Sequence, residues 1–580
     1  MSKFKELEEK LTSIVKDAGY DVEVALCQSN RPDLGEYQVN DAMKLAKEYH
    51  KSPVVIANEI LEKMKEHDIF TNLNIAGAGF INISLSDKFL IDYINEIKND
   101  ITKNVDKQQS KKIMIDYGGA NVAKALHVGH LRSPNIGEAL KRLANLLGHE
   151  TIGDVHLGDS GLQAGIVVQE MKERFPDLPC FKEDYDGSDF ELPITEEDLK
   201  EIYPTGSRKT KEDETLLENA RQITFQIQKN HLGYSKLWDK VSALSIKGIK
   251  KTYDKLNTSF ELWEGERDSF KYIPEMMEYL NSKGLTYISE GATVMDVKEE
   301  TDDKEIPPII LQKSDGAYLY ATTDLATIYS RIKRFNPDEI WYTTDLRQEL
   351  HFEQVFRAAT KSKISENVKL GFFGFGTMNG PDGKPFKTRS GGVMSLDELI
   401  EIIKDECYKR INDNIVEKEN KEKLSEEIAI AALKYADLLP YRATDYIFDP
   451  AKFSDLDGKT GPYLLYSTIR IKSLLKKAEM EGIKYENYTK LKGKTERDVI
   501  ITLLNMPSVI TRAYESKSLN EVAEYIYKLT SIYNKFYSEN KIIIEEDNEL
   551  RESWLVLSKT IYDTNMLLLD LMGIKCPEKM

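Results

Sequence analysis

Two imidazoles and a glycine set the first constraint on what this chain can do. His127 and His130 stand three residues apart in His127-Val128-Gly129-His130, a spacing that puts both rings on one face of a helical turn, where both can donate to phosphate oxygens as charge builds on them. An apolar strand-like run, Lys111-Lys112-Ile113-Met114-Ile115-Asp116, precedes them, followed by a turn at Tyr117-Gly118-Gly119-Ala120-Asn121. Helical spacing then resumes through Ile136, Leu140, Leu143 and Leu147. A helix N-terminus offers free N–H groups and the positive end of a dipole, so a strand–turn–helix unit of this kind suits the triphosphate of ATP. Gly129 would let an adenine ring approach the helix. Alone, H-x-G-H is a weak signal, because two surface histidines beside a glycine read the same way.

The longer segment Asn121-Val122-Ala123-Lys124-Ala125-Leu126-His127-Val128-Gly129-His130-Leu131-Arg132-Ser133 resembles the signature of class I arginyl-tRNA synthetases. His156-Leu157-Gly158-Asp159-Ser160-Gly161-Leu162-Gln163 resembles their second block. Gly119-Ala120 replaces the family's Ser-Pro, which loosens the turn, and Ser160 stands where the family has tryptophan; neither change removes an acid, a base or a phosphate ligand. Gly383-Lys384-Pro385-Phe386-Lys387-Thr388-Arg389-Ser390-Gly391-Gly392 resembles the mobile loop of class I synthetases in a degenerate form.

The resemblance implies an arginine–tRNA ligase that makes arginyl-adenylate from L-arginine and ATP and passes the arginyl group to tRNA(Arg). His127, Gly129, His130 and Lys387 would bind ATP; Lys387 and Arg389 would meet its β- and γ-phosphates, and Lys124 would replace the loop's missing second lysine. Asp116, Asn121, His130, Tyr320, Asp324 and Gln348 would hold arginine. The chemistry is coherent, since a planar guanidinium forms paired N–H bonds with a carboxylate such as Asp324 that an ammonium cannot copy. His156 and His351 are expected to be structural. Magnesium is expected to accompany ATP, with no protein-bound zinc. The partners are tRNA(Arg), arginine and ATP, and the chain is expected to be a cytoplasmic monomer with no membrane contact.

Three kinds of element must position these groups. Residues 1–105 carry one helix face at Phe4, Leu7, Leu11, Ile14 and Val15, a second at Ile56, Ile60, Leu61 and Met64, and a hairpin across Ile75–Ile83. They resemble the family's additional N-terminal domain, which contacts tRNA. Residues 106–400, with an insertion at about 166–250, alternate helical runs with strand-like ones at Thr293–Val297, Pro308–Leu311, Ile340–Thr343 and Val368–Phe373. That alternation predicts a Rossmann-like, doubly wound parallel sheet whose ligands sit at the carboxyl ends of its strands. From 401 to 580 the chain is read as an all-α bundle, strand-free beyond about 425, with apolar positions at Val522, Tyr525, Ile526, Leu529, Tyr533 and Phe536. It resembles the family's anticodon-binding domain. Tyr463 and Tyr466 beside Arg470, Lys472, Lys476 and Lys477 suit unpaired bases, and Tyr533, Phe536 and Tyr537 are stacking candidates, although such stripes are commonly core.

A chain of 580 residues exceeds one core and calls for about three to four domains. No apolar run reaches the roughly 18 residues of a membrane span, and the start Met1-Ser2-Lys3-Phe4-Lys5-Glu6 is unlike a targeting segment. Cys27, Cys180, Cys407 and Cys576 are widely spaced, which fits neither a zinc ribbon nor a disulfide framework. A net charge of −17 would repel a polyanion unless basic groups gather in patches; the acids of 182–218 read as a solvated insertion. Two other classes compete. A small-molecule adenylyltransferase can use H-x-G-H but has no need of the flanking domains, and a non-catalytic RNA-binding relative would tend to lose the histidines, Lys124 or the loop.

Overall fold

Ile113, Met114 and Ile115 are almost inaccessible to solvent, as expected for a strand covered on both faces. They form β1 (Lys112–Asp116), which lies in a four-stranded parallel sheet with β2 (Glu150–Asp154), β3 (Glu339–Tyr342) and β4 (Lys369–Phe372), in the order β4-β3-β1-β2. This computed structural model describes the chain apart from residues 32, 304, 388–393 and 412–417. From β1 the chain crosses to β2 on one side and later to β3 on the other. The loops after β1 and β3 therefore part at the carboxyl edge and leave a crevice. Register aligns that edge, with Asp116 opposite both Asp154 and Tyr342, and Tyr342 opposite Phe372.

Alternation along the strands divides the core. Ile113, Ile115 and Trp341 face the larger apolar cluster with α1 (Arg132–Leu146), whereas Met114, Ile340 and Tyr342 pack with α2 (Tyr320–Phe335) and α3 (Glu349–Lys361) through Leu325, Ile328 and Val355.

Two of the expected strands do not join this sheet. Ala292–Met295 and Ile309–Gln312 form a separate antiparallel sheet with Thr286–Ser289. The reason is local: Glu290 and Gly291 both take positive φ, +49° and +81°, the backbone of a tight hairpin turn. Parallel neighbours would need a long crossover instead. A second difference lies beyond residue 425, where Tyr446–Ile447 pairs in parallel with Met378–Asn379.

The N-terminal hairpin is Phe70–Ala76 with Phe80–Leu85, inside a four-stranded sheet completed by Tyr37–Val39 and Cys27–Gln28. Arg497 of the carboxyl bundle reaches it, pairing with Glu36 and, at 2.6 Å, with Asp87. Within the bundle Tyr533 and Phe536 are buried in the core, so they are not open to bases, while Tyr466 is exposed. Carboxylates of the acidic insertion meet lysines of the helix Leu232–Lys255, as in Glu196–Lys251 at 2.6 Å and Asp189–Lys240 at 2.7 Å.

Candidate active site

The signature segment leaves the turn after β1 and enters α1 through one tight turn, Val128–His130. There the His127 N–H donates to His130 Nδ1 (3.1 Å), and the Gly129 N–H donates to His127 Nδ1 (3.0 Å). A neutral imidazole has one N–H, so two accepting Nδ1 atoms place each proton on Nε2. The ring centroids are 3.8 Å apart. Burial, reinforced by Lys124, lowers the His127 pKa, and burial drives that of His130 to about 3. Both rings are thus neutral near pH 7 and each offers one Nε2–H donor. A Cβ at Gly129 would come within 2.8 Å of the His127 ring, so the glycine frees the imidazole as well as the space expected for adenine.

Around this pair the loop is held from two directions. Ala123 takes φ +61°, and its N–H donates to Ser245 Oγ (2.8 Å). Lys124 next to it holds its ammonium 4.6 Å from the ring centre of Tyr203 in the insertion. The Val128 N–H donates to the Met394 carbonyl (3.1 Å) and the Leu396 N–H to that of Leu126 (2.9 Å), which ties the chain following 388–393 to the histidines. Lys387 is exposed; Arg389 lies outside the described residues.

The second block zips onto the first. Gly158 donates to the Ala120 carbonyl (2.9 Å) and accepts from the Val122 N–H (3.0 Å), and a Cβ at Gly158 would stand 2.5 Å from Asn121 Oδ1. Close approach of Asn121 therefore depends on glycine. In the turn that lacks Ser-Pro, Gly118 and Gly119 adopt φ of +101° and +55°. Ser160, in the tryptophan position, donates its hydroxyl to Glu266, whose pKa burial raises against the opposing effects of Ser160 and His156. Glu266 was not foreseen from sequence, because a lone acid in Glu264-Gly265-Glu266 carries no spacing signal.

Asp324 lies one turn into α2 from Tyr320. Its carboxylate sits between two imidazoles: His351 Nε2 at 2.5 Å and His156 Nε2 at 3.7 Å. Burial alone would raise the Asp324 pKa, but the two imidazoles hold it down at about 2. Tyr320 is 62% exposed at the rim of a groove that also carries Ser160 and Gly161. Asp116 is engaged differently. Its Oδ2 accepts from Arg331 Nη2 (2.7 Å), which also donates to Asp154 Oδ2 (2.6 Å), while Arg331 Nη1 reaches the Tyr342 hydroxyl (3.2 Å). Arg331 was missed as well, although it follows Asp324 by two helical turns on the same face of α2. Gln348 is exposed just before α3, and its Oε1 accepts from the Thr344 hydroxyl (2.6 Å).

The same blocks recur in known proteins. Residues 94–450 match the model of the class I (R) tRNA synthetase catalytic domain, 464–580 the DALR anticodon binding domain and 5–85 the arginyl tRNA synthetase N-terminal domain. A protein named arginine–tRNA ligase from Alkaliphilus oremlandii is 44% identical over 582 residues, covering 99% of both chains. One from Agathobacter rectalis is 43% identical over 597 residues, again with 99% of each covered. The arginyl-tRNA synthetase structure from Plasmodium falciparum superposes with a TM-score of 0.81 at 25% identity over 99% of both chains. That from Thermus thermophilus, at 19% identity and a TM-score of 0.79 over the full length of both, shares the fold. From its N-terminal sheet through the crevice of the parallel sheet to its helical bundle, this chain belongs to the class I arginyl-tRNA synthetase family.

Proposed function

We propose that the chain joins arginine to tRNA(Arg), with the two donors of the signature turn acting on ATP and Asp324 reading the amino acid. One observation carries the reading: around the carboxyl edge of a single parallel sheet lie a matched pair of Nε2–H donors at the head of α1 and a largely buried, ionised carboxylate near the head of α2. In this reading the arginine carboxylate attacks the α-phosphorus, and the negative charge that builds on the non-bridging oxygens is met by His127 and His130. The bond to the leaving pyrophosphate breaks, and Lys124, Lys387 and Arg389 take up its charge. A terminal hydroxyl of the tRNA then attacks the carbonyl carbon of the adenylate, and AMP leaves.

Asn121, Gln348 and His130 would hold the α-amino and carboxylate end, with Asp324, Tyr320 and Asp116 around the side chain. Among the described residues no three His, Cys, Asp or Glu converge as a metal site. Magnesium, which keeps much of its shell in phosphate oxygens and water, would come with the nucleotide. The bundle and the N-terminal sheet would serve the tRNA. No described helix is long and apolar enough to cross a membrane, and we place the reaction in the cytoplasm.

Pyrophosphate exchange across the twenty amino acids, with total tRNA present, tests the reading. Arginine alone should support exchange. Exchange with a different amino acid, or with none in the presence of tRNA, would refute it.

A further inference from the structure

Asp324 has a neighbour that recognition of a guanidinium does not require. His156 lies just after β2 with φ +42°, a left-handed backbone that is costly for a non-glycine residue and persists where its surroundings demand it. Both ring nitrogens are closed off from solvent and neither has a hydrogen-bond partner among the described residues. Nε2 points at Asp324 Oδ1 from 3.7 Å, too far for a hydrogen bond but close enough for an ion pair. His351 already takes the other oxygen. That ring is 31% exposed against 15% for His156, so it can be served by water as well as by Asp324.

The charges facing His156 come from every element around it. From β1 and β2 come Asp116 and Asp154, both bound by Arg331 of α2. Glu266 lies in the helix Glu266–Ser269, held by Ser160; Tyr342 of β3 contacts Arg331; Tyr320 and Asp324 lie on α2, and His351 on α3. Arg331 offsets much of the charge on Asp116 and Asp154. Among the described residues, Asp324 has no such cation except the two imidazoles. Burial lowers the His156 pKa, but the Asp324 carboxylate 3.7 Å away and the charges of Asp116 and Asp154 outweigh it and hold the ring's pKa above the ordinary imidazole value. In the free site an imidazolium therefore stands beside the carboxylate.

We propose that arginine takes the place of a proton: when its guanidinium seats on Asp324, His156 releases its own proton to solvent and becomes neutral. The inference rests on the arginine reading above. A second cation a few ångströms from the imidazolium, whose ring nitrogens are closed off from solvent, would favour its neutral form strongly. One N–H bond of the ring breaks, its electron pair stays on the nitrogen, and the proton goes to buffer. His156 is then a positioning residue that keeps the carboxylate ionised and neutralised until substrate arrives. By linkage, affinity for arginine should rise about tenfold per pH unit below the His156 pKa. Citrulline, whose ureido group is uncharged, should displace no proton.

Calorimetry of arginine binding to the full chain at pH 7.5, in three buffers of different ionisation enthalpy, counts the protons released. One proton per arginine and none for citrulline is the expected result. His156→Asn, a residue that accepts left-handed backbone, should still bind arginine but release none, with affinity nearly flat between pH 6.5 and 8. His351→Gln should keep the release. A wild-type count of zero, or a full proton from His156→Asn, would overturn the exchange while leaving the arginine reading intact. If arginine does not bind the wild-type chain at all, that reading falls and the exchange falls with it.

Discussion

His127 and His130 stand out through the longer segment that resembles the family rather than through H-x-G-H alone, and their tautomers could not be read from sequence at all, because they are set by two backbone N–H bonds that exist only in the folded turn. Removing either ring should slow arginine activation by about a hundredfold or more, roughly 3 kcal/mol, the cost of losing one preorganised donor. Near-normal turnover in His127→Ala and His130→Ala, with circular dichroism unchanged, would reject that role. The titration has a sign. His130 titrates at about 3 in the folded chain against an ordinary 6.5, so the unfolded chain binds its proton first. The stability this ring supports is complete above pH 6.5 and drains as pH falls toward 3. His130→Gln should therefore lose less thermal stability than the wild type between pH 7.5 and 5, and equal losses would contradict the assignment. Asp324 came from the family resemblance, since a carboxylate four residues after a tyrosine is by itself an ordinary helix pair. Asp324→Asn swaps a charged acceptor for an amide whose N–H₂ faces the substrate's donors, so kcat/KM for arginine should drop by several kcal/mol while the KM for ATP moves little. Glu266 was invisible beforehand, and the two-turn spacing of Arg331 from Asp324 did not say what it would bind, since a single charge acquires a meaning only from what the fold sets against it.

At the scale of elements, the strand–turn–helix unit was plain in the sequence because a buried central strand and a helix have different apolar periods. The run at 292–312 was misassigned for the opposite reason: strand-like patches look alike whether they pair in parallel or fold into a hairpin, and the turn at Glu290-Gly291 decides. Nor could pattern reveal how α1 is anchored. Arg132 Nε donates to Asp437 Oδ1 (2.8 Å) and Asn135 Nδ2 to Asp437 Oδ2 (2.7 Å), joining the helix behind the histidines to α4 (Lys418–Leu438) across three hundred residues of sequence. Asp437→Ala would strand a buried guanidinium and should destabilise the chain by about 3–5 kcal/mol. Denaturant unfolding that matched the wild type would show that the pair is dispensable. In the loop ahead of α1, Lys124→Ala should slow adenylate formation far more than it weakens tRNA binding; equal losses in the two assays would make Lys124 a structural lysine.

Across the whole molecule, a chain of net charge −17 must still meet a polyanion. Acid–lysine pairs such as those of Glu196 and Asp189 already cancel within that sum, so the excess of acids has to be answered by basic groups gathered where an RNA would lie. The aromatic stripe of the bundle illustrates the limit of pattern at this scale: Tyr533 and Phe536 have the spacing of a base platform and the burial of a core. The division into an N-terminal sheet, a catalytic sheet and a bundle was readable, because each segment has its own apolar period; the Arg497 contacts that join the first to the last were not. The central claim is that this chain arginylates one set of tRNAs, and charging total tRNA with single amino acids, followed by periodate treatment and sequencing of the protected 3′ ends, tests it most directly. Protection of tRNA(Arg) species with arginine, and of none with the other nineteen amino acids, is the predicted result. Protection of another tRNA set by another amino acid, or no protection with arginine, would contradict it.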